Sequence, residues 1–258
     1  MKKLILALAV AFTAFTSCTS DDNKTENVTT QDALVTKWTE THANGEVYTA
    51  TYSYNGNQID KITYGIDNSF QKYTYTGNLI TKIEQIKSDN TVTATTELEY
   101  DSSNRLVKEI TIEDRDGETI TFTSIYTHND IDGTITEKYE DRSTATNDVN
   151  TIEKVYYIKD NEISKTVYPF NNYITEFKYK AENNPFKNIV GFDKIYFSFY
   201  FGENGNLKNL ESKISHDTTY EYDYISFNNK NYPTELVETY SKEGHRNSTI
   251  QIKIEYSI

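Results

Sequence analysis

The residues of this chain with chemistry to offer are four histidines, 39 carboxylates, 22 tyrosines and a single cysteine. His42, His128, His216 and His245 stand far apart, and none has a neighbour at metal-ligand or triad spacing. They read as surface turn residues. Asp114-Arg115-Asp116-Gly117 and Asp130-Ile131-Asp132-Gly133 begin like calcium loops, where alternating carboxylates converge on a hard cation. The glutamate at the twelfth loop position and the flanking helices are missing, and Asp-Gly is also a hairpin turn. The carboxylates offer many pairings for glycoside hydrolysis, but their abundance singles out no pair. A phosphate-binding glycine loop and a G-x-S-x-G elbow are both absent. The expectation is a non-enzymatic protein with no catalytic residues, no metal and no cofactor. The tyrosines are the binding candidates. Tyr52, Tyr54, Tyr73, Tyr75 and Tyr100 recur at matching positions, and aromatic rows stack on sugar rings or cover an apolar ligand. The same rows also serve cross-strand packing, at about 0.2–1 kcal/mol per pair.

Cys18 carries the remaining chemistry. Met1-Lys2-Lys3 is a short basic start, Leu4 to Phe15 is uncharged and mostly apolar, and small Thr16 and Ser17 precede the cysteine. The apolar run is shorter than the ~20 residues of a membrane-spanning helix, so residues 1–17 read as a removable signal. Phe15-Thr16-Ser17-Cys18 resembles a relaxed lipobox of Bacteroidota lipoproteins, which implies a diacylglyceryl group on Cys18. Ser20-Asp21-Asp22 resembles the acidic signal that exports such lipoproteins to the cell surface. Asp217-Thr218-Thr219 is similar to their O-glycosylation sequon, with Thr218 as acceptor. Residues 18–30 hold one apolar side chain and form a polar leash, with a reach of about 20 Å.

Removing Lys2 and Lys3 leaves 24 cationic residues against 39 carboxylates, a net charge of −15. Such a chain repels nucleic acid and anionic head groups. Membrane contact is therefore expected through the acyl chains and not through a basic patch. Hydrophobic content is only 36%, which suits half-buried pleated surfaces better than a thick globular core.

What must position these side chains is a repeat. Anchors at Tyr54, Tyr75, Tyr100, Tyr126, Tyr157, Tyr179, Phe201 and Tyr224 recur every 21 to 31 residues. Each ends a strand-favouring run, meets a Gly/Asn turn and is followed by a Leu/Ile-rich run. That is the pattern of tandem β-hairpins. Asn104, Asn161 and Gly205 occupy one turn position, where left-handed backbone is cheapest for such residues. Ile250, Ile252, Ile254, Tyr256 and Ile258 alternate with Gln251, Lys253, Glu255 and Ser257, so one face is covered and one is wet. Ile195 to Phe201 is nearly apolar on both faces and predicts a strand in the buried middle of the sheet or at a seam where the sheet folds on itself. Trp38 precedes the repeat and predicts a cap on the first edge. Pro169, Pro185 and Pro233 fall at loop or edge positions.

Residues 31–258 thus predict one all-β domain, an antiparallel meander of roughly 16 strands curled into a trough or partly closed barrel. Tyr100-Asp101-Ser102-Ser103-Asn104-Arg105-Leu106 resembles the YD repeat of Rhs-type proteins. The pattern also resembles Bacteroidota lipoproteins of unknown function with a porin-like fold. The first likeness implies hairpin repeats without the Rhs shell, for which the chain is too short. The second implies a large curved sheet and brings no activity. The functional expectation is an outer-membrane lipoprotein facing the exterior, a binding or scaffold module for a glycan, peptide or partner protein. A periplasm-facing carrier of lipid or another hydrophobic ligand is the alternative. A transmembrane barrel is disfavoured, because Lys and Glu recur along strands that lipid would have to face.

Overall fold

The computed structural model describes residues 32–115, 117–143, 149–198, 205–245 and 247–257. Cys18, Ser20, Asp21 and Asp22 lie outside the described residues. The strands are β1 Leu34–His42, β2 Val47–Asn55, β3 Gln58–Tyr64, β4 Phe70–Thr76, β5 Leu79–Ile86, β6 Val92–Tyr100, β7 Leu106–Arg115 and β8 Glu118–Asn129. The second half supplies β9 Thr134–Ser143, β10 Val149–Lys159, β11 Glu162–Tyr168, β12 Tyr173–Asn183, β13 Lys208–Ser215, β14 Thr218–Phe227, β15 Pro233–Lys242 and β16 Ser248–Ser257. Each pairs antiparallel with its sequence neighbours, and β1 also pairs with β16. The meander therefore closes fully into a barrel instead of stopping at a trough. Closure removes both edges, so Trp38 caps no edge. It sits on β1 between Ala50 of β2 and Ile254 of β16.

The alternation sorts side chains between lumen and outer wall. Ile252 and Ile254 are 3% exposed, while Gln251, Lys253 and Glu255 are exposed. On the wall, opposite charges face each other across strands: Lys82 and Glu97, Glu99 and Lys108, Lys138 and Glu153, Lys165 and Glu176, Glu235 and Lys253, Lys37 and Glu255.

Several odd strands carry the same irregularity just after their opening turn. The register shifts between Ile59 and Lys61, Ile80 and Lys82, Leu106 and Lys108, and Ile163 and Lys165. One extra residue is accommodated at each site, as in a β-bulge. The buried positions consequently step by three: Ile59 and Ile62, Ile80 and Ile83, Leu106 and Glu109, Ile163 and Thr166.

The aromatic anchor of the repeat holds this bulged corner. Tyr54 donates to the Val35 carbonyl at 2.7 Å, Tyr100 to Ile80 at 2.7 Å, Tyr179 to Ile163 at 2.9 Å, Tyr224 to Leu210 at 2.8 Å and Tyr256 to Pro233 at 2.7 Å. In each case the last inward aromatic of an even strand reaches the carbonyl at the start of the preceding odd strand. His128 takes the equivalent place on β8, its Nε2 lying 2.8 Å from the Leu106 carbonyl. Nε2 must carry the proton there, because a carbonyl only accepts. Each such bond stabilises by about 1 kcal/mol, and together they lash one rim.

The largest departure from the expected meander follows β12. The described part of the run expected as a strand, Ile195–Ser198, is not a strand. It is turn and bend, and Phe201 lies outside the described residues. The described parts of the β12–β13 connection, residues 184–198 and 205–207, fold into the lashed end of the lumen and include the short 3-10 turn Phe192–Lys194. Ile189, Ile195 and Phe197 are at most 4% exposed. A plug is surrounded by wall on every side, so its sequence is apolar without alternation. Val190 N–H donates to the Asn57 carbonyl at 3.0 Å, and the Val190 carbonyl accepts from Tyr75 at 3.1 Å. Gly191, at φ 84°, passes so close to β5 that an added Cβ would lie 2.9 Å from the Asn78 carbonyl oxygen.

The return of the plug is clamped by Glu162. Its carboxylate accepts from the backbone N–H groups of Asn206, Leu207 and Lys208 at 2.7, 2.8 and 2.9 Å. Glu162 is 3% exposed. Burial pushes its carboxyl above the usual range, and the three N–H groups oppose that rise.

Candidate functional site

Inside the wall, two chambers of different chemistry adjoin the plug. The first is a cavity of about 360 Å³ lined by Trp38, Tyr52, Tyr64, Phe186, Tyr222 and Tyr224, with Leu236 and Ile252. Its floor is the plug: Phe186 stacks on Trp38 at 5.7 Å and lies 6.1 Å from Tyr52. Two carboxylates, Glu40 and Glu238, share the lining, and no Lys or Arg does. Strand alternation puts them there. Trp38 and Glu40 are in phase on β1, Tyr222 and Tyr224 on β14, and Leu236 and Glu238 on β15.

Glu40 Oε1 accepts from the Trp38 indole N–H at 2.9 Å, and Oε2 lies 3.7 Å from His42 Nε2. The Glu40 side chain is 35% exposed, so the cavity reaches solvent on its side. Among the described residues, no protein group hydrogen-bonds the Glu238 carboxylate. Burial raises its pKa, Glu40 adds to the rise, and Lys213 and His42 oppose it. Burial also holds Tyr52 and Tyr222 above the ordinary phenol range and pushes Tyr64 up to about 12.

The second chamber, basic in that it holds two lysines, also has Glu137 and Asp141 in the lining of its larger part. Lys154, Tyr168 and Lys213 line two adjoining spaces of about 500 and 290 Å³. Lys154 Nζ lies 4.7 Å from the Tyr156 ring centre and 5.3 Å from that of Tyr168. Lys213 Nζ lies 5.7 Å from Phe177 and 5.9 Å from Tyr220. The protein's own ammonium groups cover these ring faces. Two buried glutamates stand behind this chamber. Glu137 accepts from Ser124 and Tyr156, each at 2.6 Å, and Tyr126 reaches Glu109 at 3.1 Å and Glu137 at 3.4 Å. They are 2% and 4% exposed, Glu109 the deeper. Phe197 of the plug packs over Tyr126 and Tyr156 at 5.3 and 5.9 Å.

The five singled-out tyrosines divide. Tyr52 lines the aromatic cavity. The Tyr54 and Tyr100 hydroxyls are spent on the rim bonds, and Tyr75 accepts from Ile59 N–H at 3.1 Å besides holding the plug. Tyr73 is 4% exposed and donates to Gln71 at 2.7 Å. Thr218 opens β14, lines the basic chamber and donates to Asp217 at 3.0 Å.

Of the histidines, His216 and His245 are exposed turn residues. His42 and His128 are instead strand residues, because each continues the inward phase of its strand. The second calcium-like string, Asp130 to Gly133, is a turn in which Asn129 accepts from the N–H groups of Ile131 and Asp132; in the first, Asp114 and Arg115 end β7 and Asp114 accepts from Gly117 N–H. Among the described residues, no group of three His, Cys, Asp or Glu side chains is placed to hold a metal.

Sequence reasoning missed Trp38, Glu40, Glu238 and Phe186 as one site. The in-phase Trp38 and Glu40 were the legible signal. Phe186 had none, since nothing local says that a loop enters the lumen.

No protein-family model and no curated protein matches the chain. Among solved structures, a porin-like protein from Bacteroides uniformis is similar at 10% identity, over 86% of this chain and 96% of that one, with a TM-score of 0.39.

Proposed function

We propose that this protein is a non-enzymatic binding module, a plugged barrel standing in water and held to the outer membrane by lipid on Cys18. Its ligand site is the aromatic cavity over Phe186. One observation carries the reading: in a barrel whose lashed end is filled by its own loop, about 360 Å³ lined by aromatic rings is left empty. That volume suits a small molecule, a sugar residue or a peptide side chain.

The wall supports a tethered barrel over a spanning one. Each Lys facing the bilayer midplane would cost about 2–4 kcal/mol, and this wall carries crossed Lys–Glu pairs on many strands. The acidic stretch Ser20-Asp21-Asp22 supports an outward-facing position. The roofed Glu109 and Glu137 pair, with three of its four oxygens given to tyrosine and serine hydroxyls, supports a structural role for the best-converged carboxylates.

Trp38 is the sole tryptophan, so ligand entry reads directly in its emission. Titration with glycan, peptide and small-molecule panels is expected to give a saturable Trp38 shift for at least one class. A Trp38 signal blind to every panel would defeat the binding reading. Cys18→Ser is expected to release the protein from the membrane fraction, and retention would defeat the tether. Carriage of a hydrophobic ligand is the second reading, favoured by Leu236 and Ile252 in the lining; it requires lipid that co-purifies with the protein.

A further inference from the structure

We propose that the aromatic cavity recognises an alkylated ammonium group, a ligand class that rests on the binding reading above. Three features of the lining converge on it. Trp38, Tyr52, Tyr64 and Tyr222 line one small space, and aromatic rings attract a weakly hydrated cation. Glu238 contributes a carboxylate that no described protein group hydrogen-bonds, and Glu40 adds a second beside it. Among the described residues no cationic side chain lines the space; Lys180 lies over the ring of Tyr224, 5.2 Å from its centre, without entering the lining.

The neighbouring chamber serves as an internal control. There the chain places Lys154 and Lys213 against tyrosine and phenylalanine rings with its own covalent stems. The cavity over Phe186 has the complementary groups and lacks the cation. A neutral sugar would place hydroxyls on Glu238 but leave its charge uncompensated in a partly desolvated place, which is unfavourable. An acidic ligand would meet two carboxylates. A primary ammonium is a compact, strongly hydrated charge and gives up more on leaving water for an aromatic lining. An alkylated ammonium needs ring faces and a nearby negative charge, and asks for no directional bonds. The chain's net charge of −13 raises the local concentration of cations at the mouth. The charged groups around Glu238 are Glu40, Lys213 and His42, so occupancy is expected to be better at neutral than at acid pH, where the carboxylates lose charge.

The test uses the full-length lipoprotein in non-ionic detergent and reads Trp38 emission. The probe is choline, and its uncharged isostere 3,3-dimethyl-1-butanol is the comparator. N-acetyl-lysine methylamide presents a peptide's primary ammonium. Vesicles of phosphatidylcholine separate a lipid head group from a free solute. Choline is expected to shift the emission saturably, with the isostere about tenfold weaker or worse. Glu238→Gln, similar in shape, is expected to lose about tenfold in choline affinity while its isostere binding stays put. If that variant fails to fold, Tyr222→Leu replaces it, and a fall in the choline-to-isostere ratio is the expected result. Equal binding of choline and the isostere overturns the proposal, as does tighter binding of the lysine derivative. A saccharide that shifts Trp38 where choline does not would overturn the cation and leave the cavity a binding site. Silence from every probe would remove both. Vesicle binding without free-choline binding would overturn a solute site in favour of a head-group site.

Discussion

The two lumen chambers use the same aromatic vocabulary to opposite ends. Around Lys154 and Lys213, tyrosine rings meet ammonium groups already built into the wall. Around Trp38, similar rings meet carboxylates and no built-in cation. The first arrangement is self-satisfied and stabilises the barrel; the second is the one for which we propose a ligand. Residue composition alone does not distinguish them. What distinguishes them is which charge shares the ring faces. One loop serves both chambers, with Phe186 under the acidic one and Phe197 beside the basic one.

That shared loop gives the largest expected effect. Glu162→Ala removes the acceptor of three backbone N–H groups at the plug's return. Leaving buried donors unmatched costs about 1–3 kcal/mol each. A loss of about 3 kcal/mol in chemical denaturation is expected, together with new proteolytic cleavage between Asn184 and Leu207. A variant as stable and as resistant as the parent would show that the plug does not depend on this carboxylate.

Phe186→Ala should act on the acidic chamber alone. Removing the ring is expected to cost about 3 kcal/mol and to shift Trp38 emission to the red as water reaches the indole. The cation–ring pairs of the basic chamber should keep their near-ultraviolet signature. A change in both chambers would mean that the plug moves as one piece.

Tyr100→Phe touches neither chamber. It deletes one rim bond, from Tyr100 to the Ile80 carbonyl, at an expected cost of about 1 kcal/mol. In a barrel of this size that is about 2–4 °C in Tm. A much larger drop would show that the rim bonds act cooperatively and not one by one.

The smallest effect is a slope. The Glu238 carboxyl has a raised pKa in the folded protein, so the folded state holds its proton more tightly than the unfolded chain does. Its contribution is fully present below the unfolded value and is lost as pH rises through the folded one. Glu238→Gln removes that loss. Its Tm relative to the parent should therefore climb between about pH 4 and pH 7, by about 2 °C. A margin that narrows with rising pH would contradict a carboxyl raised by burial.

Much of the wall was legible before any coordinates. Period-two alternation in Ile250 to Ser257 reports one wet and one covered face at each residue, because neighbouring side chains on a strand must point to opposite sides. Asn104, Asn161 and Gly205 carry the positive φ expected of them, at 59°, 63° and 86°, since few residues enter that region cheaply. The hairpin repeat reports strand number for the same local reason. Where locality ended, inference failed. Ile195 to Phe201 looked like a buried strand because apolarity on every side signals burial without saying against what. The matched turn position of Gly205 strengthened the wrong reading, although its φ was right.

Sequence by itself determined the local quantities: strand phase, turn chirality, the repeat and the excess of negative charge. Tertiary structure alone decided three others. Closure of β1 onto β16 turned a first edge into lumen wall and moved Trp38 from rim to cavity. The descent of the β12–β13 connection into the lumen set Phe186 beneath that tryptophan. The meeting of Glu40 from β1 with Glu238 from β15, two strands apart around the closed barrel and almost 200 residues apart in the chain, gave the cavity its charge. These are long-range events, governed by how the sheet curls and what fills it, and no short window of residues encodes them.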